Sequence, residues 1–247
     1  MQEMLAWLYT GGGLELWNEL YKGQNLVVLE PYGMLGPENF CWSRKPIDSL
    51  DDFKGLKFRT VGIWGKCLER LGARVVSLAG GEVYPSLERG VIDAAEFSSP
   101  AINYPMGFDE ITKYAIQPGV HQPGIQCALF FNKDAYDKLP EHYKYILDIC
   151  AKETQLWSYN WINSLNAEAI RLFKQKVEII KMDTDTLVEF RKQTKTYLDS
   201  VKAKYPEVKK VLDSQEAFLE SFADWRDARS GATPWPYETY IGGRITE

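Results

Sequence analysis

The sequence predicts an α/β fold. Across residues 56–97, stretches with the period of a strand alternate with stretches with the period of a helix, and the connections are short. That order is typical of a parallel sheet covered by helices. A second observation is the helical pattern of apolar residues over 140–176. At 1.5 Å per residue it predicts a helix on the order of 50 Å long.

The first fifty residues predict an irregular start to this fold. Residues 4–9 resemble the end of a helix or strand, and Gly11–Gly13 precede apolar residues at helical spacing over 14–21. A short strand is predicted at 25–29 and a loop-rich segment at 30–50. The glycine run matches neither GxGxxG nor the P-loop, which disfavours nucleotide binding and favours a capping or packing role.

The alternating segment carries the clearest prediction. Three strands are expected at 56–61, 73–78 and 91–97, and two helices at 64–71 and 82–89. In sheets of this kind, ligands bind beyond the carboxyl ends of the strands.

The second half of the chain is predicted to be mainly helical. A strand at 125–132 precedes the long helix, and another at 177–182 follows it. The long helix exceeds what one small lobe can bury, so we expect it to span two lobes or to pack on a partner. Beyond Asp183 we expect helices interrupted at Pro206, and a loop from residue 231.

Composition excludes some classes of function. The 247 residues carry a net charge of −5 and no block of Lys or Arg, so the footprint of a nucleic-acid binder is absent. An anionic ligand would need a local cation. The four cysteines, Cys41, Cys67, Cys127 and Cys150, form no CxxC pair, which disfavours zinc and favours buried free thiols.

The termini and hydropathy bear on localisation. No stretch approaches the roughly 20 apolar residues of a membrane span. The N-terminus lacks the basic start and apolar run of a secretory signal. Taken alone, these observations indicate a cytoplasmic protein.

Arg59 is the first candidate for ligand binding. It alternates out of the face formed by Leu56 and Phe58, near the carboxyl end of the first alternating strand. A guanidinium there can hold a carboxylate through two parallel hydrogen bonds. A surface or structural arginine is the alternative.

Glu96 closes the strand over 91–97 and is the second candidate. Its carboxylate could pair with a ligand-binding arginine, or it could help to hold a hard cation, which prefers oxygen ligands. The two histidines, His121 and His142, lie in no recognised motif and are interpreted as structural. The chain shows no nucleophile–base pair, which argues against an enzyme.

Several segments together resemble one protein family. Residues 53–59, with the sequence FKGLKFR, resemble a segment typical of the solute-binding proteins of tripartite ATP-independent periplasmic (TRAP) transporters. Further matching stretches occur in the family's order over most of residues 9–180; they are GGGLEL (11–16), AGGEVYPSLERG (79–90), IDAAEF (92–97), GVHQPG (119–124) and FNKDAY (131–136).

The resemblance implies a fold and a division of the chain. It implies two periplasmic-binding-protein-like lobes joined by a spine helix over 140–176, in one solute-binding region over 1–247. Residues 1–30 and about 97–130 would be a remnant of lobe one, and about 31–96 with 131–182 would form lobe two. Residues 183–247 would be C-terminal helices and a tail; their Phe218, Phe222 and Trp225 could serve a homodimer or the core.

The resemblance also implies roles for individual residues. The closest branch binds 2-oxo or 2-hydroxy monocarboxylates together with a cation. By this likeness Arg59, Glu38 and Tyr84 contact the substrate, with Tyr84 the weaker candidate. Glu96, the Phe97 carbonyl and Gln122 form the cation site. Glu38 stands where a relative has Gln, and this extra carboxylate favours Ca²⁺ over Na⁺.

The front of the chain departs from the family pattern. Family members carry a signal peptide and a substantial stretch before the Gly-Gly-Gly segment. We therefore expect a fragment whose first lobe is incomplete and whose full-length parent is periplasmic.

The resemblance implies a transport function. The protein would capture a small organic acid such as pyruvate or lactate and deliver it to the membrane subunits of a TRAP transporter, without catalysis. Two alternatives remain open at this point: an enzyme acting on a small carboxylic acid, and a ligand-sensing module with the same fold.

Overall fold

The computed structural model describes residues 2–229, 240–241 and 244–245. The chain divides into two compact units. One comprises Met1–Leu20 and Lys202–Glu247, and the other comprises Tyr21–Val201. All of the residues proposed above for ligand or cation binding belong to the second unit.

The helices and strands alternate along most of the chain. The helices are α1 (Gln2–Thr10), α2 (Gly13–Leu20), α3 (Gly62–Arg70), α4 (Gly80–Glu88), α5 (Pro100–Asn103), α6 (Phe108–Ile111), α7 (Lys133–Asp137), α8 (Glu141–Phe173), α9 (Thr184–Lys204), α10 (Pro206–Ser221) and α11 (Ala223–Arg229). The strands are β1 (Leu26–Leu35), β2 (Cys41–Ser43), β3 (Lys57–Arg59), β4 (Arg74–Val76), β5 (Ala94–Ala95), β6 (Tyr114–Gln117), β7 (Ile125–Asn132), β8 (Glu178–Lys181), β9 (Tyr240–Ile241) and β10 (Arg244–Ile245).

The central sheet of the larger unit has six strands in the order β4-β3-β5-β2-β6-β8. The predicted α/β alternation is confirmed, because β3 runs parallel to both β4 and β5. The sheet as a whole is mixed, since β2 lies antiparallel to β5 and β6. The sequence pattern missed β2, because its three buried residues are too few to show a period.

The observed pairing differs from the predicted boundary near residue 97. Residues 97–130 were expected to belong to lobe one, yet β6 pairs with β2 and β8 within the same sheet as β3 and β5. The physical reason is hydrogen bonding between strands that are distant in sequence. The last strand expected before that boundary, at 91–97, is reduced to the two residues of β5.

A separate two-stranded ribbon joins β1 to β7. Leu26 pairs with Asn132 and Leu35 with Ile125, with a shift in register between Leu29 and Gly33. β1 therefore extends past the predicted strand at 25–29, through part of the segment expected to be loop. Helix α8 is anchored to it, because the Met34 N–H donates to Ser158 Oγ at 3.0 Å.

The long helix is confirmed as α8, with 33 residues. Its C-terminal Phe173 lies in a core cluster with Trp42 and Phe108. A neighbouring cluster contains Phe40, Phe53, Phe58 and Phe190. Within the described residues, no helix combines the length and the apolar character needed to cross a bilayer.

The cysteines divide between core and surface. Cys41 and Cys67 are buried, Cys127 is half-buried and Cys150 is exposed, and all four are free thiols. The prediction of buried thiols is therefore wrong for Cys150. That residue lies on the exposed side of α8.

In the smaller unit, glycines permit close packing of the N-terminal helices. A Cβ on Gly13 would lie 2.8 Å from the Trp7 ring, and a Cβ on Gly11 would lie 2.6 Å from Phe218. The Trp7 indole N–H donates to Ser214 Oγ at 3.1 Å. These contacts agree with the packing role expected for the glycine run.

Candidate functional site

Arg59 ends β3 and is buried, with 7% of its surface exposed. The strand period turns Phe58 into the aromatic core and Arg59 to the opposite face of the sheet. Its partner in β5 is Ala95, which immediately precedes Glu96. The parallel pairing thus brings the arginine and the glutamate together at one edge of the sheet.

The guanidinium of Arg59 is bonded to protein oxygens on two sides. Nε and Nη2 donate to the Leu78 carbonyl at 3.3 and 3.1 Å. Nη1 donates to the Glu96 carbonyl at 2.8 Å and to Glu96 Oε1 at 3.1 Å. A ligand carboxylate could accept two parallel hydrogen bonds from the Arg59 guanidinium only by replacing one of these partners.

Glu96 is a buried carboxylate beside a cation. Burial raises the pKa of Glu96, the charge of Arg59 acts in the opposite direction, and the charge of Glu38 raises it further. The pair is therefore not a fully compensated ion pair. An added positive charge would favour the ionised form of Glu96.

Glu38 and His121 complete a cluster with Glu96. Glu38 Oε2 lies 3.2 Å from His121 Nε2, and both side chains are almost fully buried. One potential ligand atom from each of the three residues lies within 4.8 Å of the others. Among the described residues, this group is the one whose donor atoms converge in the manner of a metal site.

Aromatic rings fix the orientation of His121. Its imidazole stacks on Trp64 at 5.3 Å between centroids, with 19° between the planes, and contacts Phe40 edge-on at 5.7 Å. The other ring nitrogen, Nδ1, is buried without a hydrogen-bond partner. Such an orphaned polar atom costs free energy unless some group satisfies it.

The sequence interpretation of His121 as structural missed this placement. The available signal was its position directly before Gln122 in the GVHQPG segment. What the segment could not show was which of the two side chains turns toward Glu38. The structure shows that the Gln122 carbonyl accepts the Glu38 N–H at 3.2 Å.

The remaining predicted residues lie in two different places. The ring of Phe97 lies 5.9 Å from Arg59 Cζ and packs edge-on against Phe108, so Phe97 borders the cluster. Tyr84 lies on α4, where its ring would lie 3.2 Å from a Cβ on Gly107. Burial, and then the charge of Glu110, raise the pKa of the Tyr84 phenol. Tyr84 thus packs beside α6, and the structure does not bring it into the cluster.

The donor set suits a hard cation. Two buried carboxylates supply the oxygen ligands that Ca²⁺ and Na⁺ prefer. The imidazole would add a nitrogen ligand to the oxygen donors. The positive charge of Arg59 and the carboxylates of the cluster thus lie side by side. A site that binds an anion and a cation together requires such an arrangement.

Comparison with known proteins gives consistent matches. The chain is 32% identical over 225 residues to the monocarboxylate 2-oxoacid-binding periplasmic protein of Nostoc sp., covering 91% of this chain and 62% of that relative. The chain therefore spans about three fifths of the length of this curated relative.

Two solved structures share the fold. One is a TRAP periplasmic solute binding protein from Pseudoalteromonas atlantica with bound sodium and pyruvate (TM-score 0.86, 30% identity, 97% of this chain and 72% of that one). The other, from Colwellia psychrerythraea, holds calcium and pyruvate (TM-score 0.86, 29% identity, 94% of this chain and 71% of that one). The α/β class with a long helix is confirmed by this likeness.

The family assignment follows from the length of the match. Residues 1–204 match the family described as bacterial extracellular solute-binding protein, family 7, or DctP. That stretch contains the sheet, the long helix and every residue of the cluster. The resemblance seen in the sequence is thereby confirmed, and the chain belongs to the DctP family of bacterial extracellular solute-binding proteins.

Proposed function

We propose that this chain is the ligand-capturing part of a TRAP transporter's solute-binding protein, and that it binds a 2-oxo or 2-hydroxy monocarboxylate such as pyruvate or lactate. The observation that carries the proposal is the buried group of Arg59, Glu96, Glu38 and His121. It is supported by the likeness to relatives whose names or bound molecules include 2-oxo acids.

The site would bind two species, the ligand's carboxylate at Arg59 and a cation at the neighbouring carboxylates. Arg59 would pair with the ligand carboxylate, because a planar guanidinium can hold a carboxylate through two parallel hydrogen bonds. Glu38, Glu96 and His121 would hold a cation, Ca²⁺ or Na⁺, with the Phe97 carbonyl and Gln122 as further proposed contacts. When bound, the cation supplies positive charge to the ligand's carboxylate and 2-oxygen.

This division predicts selectivity among acids. A cation held by Glu38, Glu96 and His121 would supply positive charge to oxygen atoms of the ligand, which would favour 2-oxo and 2-hydroxy acids over plain carboxylates. Arg59 must also exchange part of its bonding with Glu96 when ligand arrives. The cation would then compensate the charge of Glu96.

The family assignment supports a proposal for the wider role. We propose that the full protein is periplasmic, that it catalyses no reaction, and that it delivers its ligand to the membrane subunits of the transporter. A homodimer through the C-terminal helices is part of this proposal. It is supported by Trp225, which is 56% exposed on α11, whereas Phe218 is half-buried against the N-terminal glycines.

Calorimetric titration tests the proposal directly. Pyruvate and lactate are titrated into the protein with Ca²⁺, with Na⁺ and after chelation, and acetate and propionate serve as acids without a 2-oxygen. We expect cation-dependent binding of the 2-oxo and 2-hydroxy acids only. Equal binding of propionate, or turnover of pyruvate during incubation, would contradict the proposal.

A further inference from the structure

The hydrogen bonds of the Arg59 guanidinium leave one edge of it for a ligand. Nε and Nη2 share the Leu78 carbonyl at 3.3 and 3.1 Å, so the backbone already uses that edge. The edge formed by Nη1 and Nη2 remains for a carboxylate that accepts two parallel hydrogen bonds. Nη1 has two N–H groups, and Glu96 supplies an acceptor for each, its carbonyl at 2.8 Å and its Oε1 at 3.1 Å. A ligand carboxylate therefore bonds to Nη1 only when one of these acceptors leaves.

The carboxylate of Glu96 is the acceptor that can leave. The Glu96 backbone is held from two sides, because its N–H donates to the Arg59 carbonyl at 3.2 Å and its carbonyl accepts from Nη1. Displacing that carbonyl would disturb the junction between the ends of β3 and β5. The carboxylate, by contrast, moves by rotation about side-chain bonds alone. Its contact with Nη1 is therefore the movable part of the pair.

Water does not compensate these charges. The side chains of Arg59 and Glu96 are only 9% and 8% exposed, so each charge depends on a protein group or a bound species. In the ligand-free protein, Glu96 Oε1 thus takes the place that one oxygen of a ligand carboxylate would occupy on Nη1.

The cation cluster offers Glu96 a second position. A carboxylate oxygen of Glu96 lies within 4.8 Å of ligand atoms of Glu38 and His121. Burial raises the pKa of Glu96, the charge of Arg59 lowers it, and the charge of Glu38 raises it again. Without a cation, Glu96 therefore gains by staying with Arg59, because the second position brings it toward another carboxylate. With a cation in the cluster, the same move would bring Glu96 toward a positive charge.

We infer that Glu96 is an internal competitor of the ligand: without a cation its carboxylate occupies Nη1 of Arg59, and Glu96 turns away when a cation is bound in the cluster. This inference rests on the proposed function, which assigns the ligand carboxylate to Arg59 and the cation to the cluster. It goes further by making Glu96 a determinant of specificity, since it excludes small carboxylates from the cation-free protein. The cation and the acid should then strengthen each other's binding by the same factor.

Glu96→Gln tests the competition, because it removes the charge and keeps the size of the side chain. Pyruvate and propionate are titrated by calorimetry into the wild type and the variant, in a choline buffer with chelator, free of Ca²⁺ and Na⁺. We expect the variant to bind both acids at least about tenfold more tightly than the wild type, because Arg59 then lacks a carboxylate partner. A gain of affinity is not what general damage to the site would produce.

Glu38→Gln is the matched control. It removes the other carboxylate of the same cluster, but the Glu38 side chain contacts His121 and not Arg59. In the cation-free buffer it should change the affinity for either acid by about twofold or less. With Ca²⁺ added, both variants should lose much of the enhancement of pyruvate binding, since each lacks one carboxylate for the cation.

Glu96→Asp covers the case in which thermal unfolding shows that Glu96→Gln is not folded. It keeps the negative charge but shortens the side chain by one methylene, which withdraws the carboxylate from Nη1. It should show a smaller gain in the same direction.

The outcomes separate this inference from the proposed function. If the folded variants of Glu96 gain no affinity in the cation-free buffer, or if Glu38→Gln gains as much, the competition is refuted even when Ca²⁺ supports pyruvate binding by the wild type. If the wild type binds pyruvate with no cation and with neither Ca²⁺ nor Na⁺ present or added, the proposed function fails. In that case the affinity of the Glu96 variants for propionate still decides whether Glu96 competes for Arg59.

Discussion

The charged cluster meets, at Glu38, a cavity of about 350 Å³ bounded by residues 37–39, 117–119 and the face of α8 over 163–170. In the cluster, the charged groups of Arg59, Glu96 and Glu38 bond to each other, to His121 or to nearby backbone, although His121 Nδ1 has no partner. Around the cavity, the buried residues Asn39 and Asn166 carry amide nitrogens without partners. Buried charges must be compensated whether or not a ligand is present, whereas buried amides can remain unpaired at moderate cost.

This difference bears on what controls affinity. In the proposed function, a ligand carboxylate would compete with Glu96 for Arg59, so the cluster would couple binding strength to a cation that compensates Glu96. We therefore expect changes in the cluster to abolish binding.

The largest expected effect is that of Arg59→Ala. Truncating one partner of a buried charge pair between protein and ligand costs about 2–5 kcal/mol of binding free energy, so affinity for pyruvate should fall by about thirtyfold or more. Calorimetry measures the loss. Arg70→Ala removes the same charge from the exposed end of α3 and should leave affinity unchanged. Wild-type affinity in Arg59→Ala would refute its role.

Gly119→Ala should disturb both regions at once. A Cβ at this position would overlap the Glu38 carbonyl oxygen, so the segment between β1 and β2 that carries Glu38 must shift. Overpacking of this kind costs about 1–3 kcal/mol, and each kcal/mol lowers Tm by roughly 2–4 °C in a chain of this size. Thermal unfolding measures the fall.

The control for that variant is Gly81→Ala, where a Cβ would meet open space. It should leave Tm nearly unchanged. If Gly119→Ala also left Tm unchanged, the close approach between residue 119 and Glu38 would not exist in solution.

His121→Ala tests which residue of the GVHQPG segment contacts the cation. Because the His121 imidazole lies 3.2 Å from Glu38, its loss should weaken the effect of Ca²⁺ on pyruvate affinity by about tenfold. Gln122→Ala should have a smaller effect, since the contact of Gln122 with Glu38 uses its backbone carbonyl. Calcium titrations at fixed pyruvate measure both. The opposite order would assign the role to the Gln122 side chain.

The smallest expected effect concerns Asp93, which supports the strands beneath the cluster. Its carboxylate accepts the Lys57 N–H at 3.1 Å and pairs with Lys45 at 3.0 Å. Burial alone would raise the pKa of Asp93, but these hydrogen bonds and cations hold it below its ordinary value of 3.8. A lowered pKa in the folded state stabilises the protein above that value, and this stability is lost as pH falls through the lowered pKa.

Asp93→Asn should therefore cost about 1 kcal/mol at neutral pH and progressively less below the ordinary carboxyl pKa. Urea unfolding at neutral and acid pH measures the difference. Ligand affinity at neutral pH should change little, because Asp93 lies outside both regions. A stability difference that stays constant with pH would contradict the assignment.

Much of the fold was predictable, because its strongest signals are local. The alternation over 56–97 and the apolar period of α8 lie within single segments, and the structure confirms both. The sequence also placed Arg59 and Glu96 near the carboxyl ends of two strands of one predicted parallel sheet, where ligands bind. That β3 and β5 are direct neighbours was not given by a local rule, because β4 lies between them in the chain and on the other side of β3 in the sheet.

The sequence by itself determined the α/β class, the family resemblance, and the choice of Arg59 and Glu96 as candidates near the carboxyl ends of two strands. Only the tertiary structure decided that Glu38 faces His121, that Tyr84 lies elsewhere, and that Asn39 and Asn166 share a cavity. Those contacts join segments separated by 83 and more residues. They arise from the antiparallel insertion of β2 and the packing of α8, whose partners no local pattern specifies.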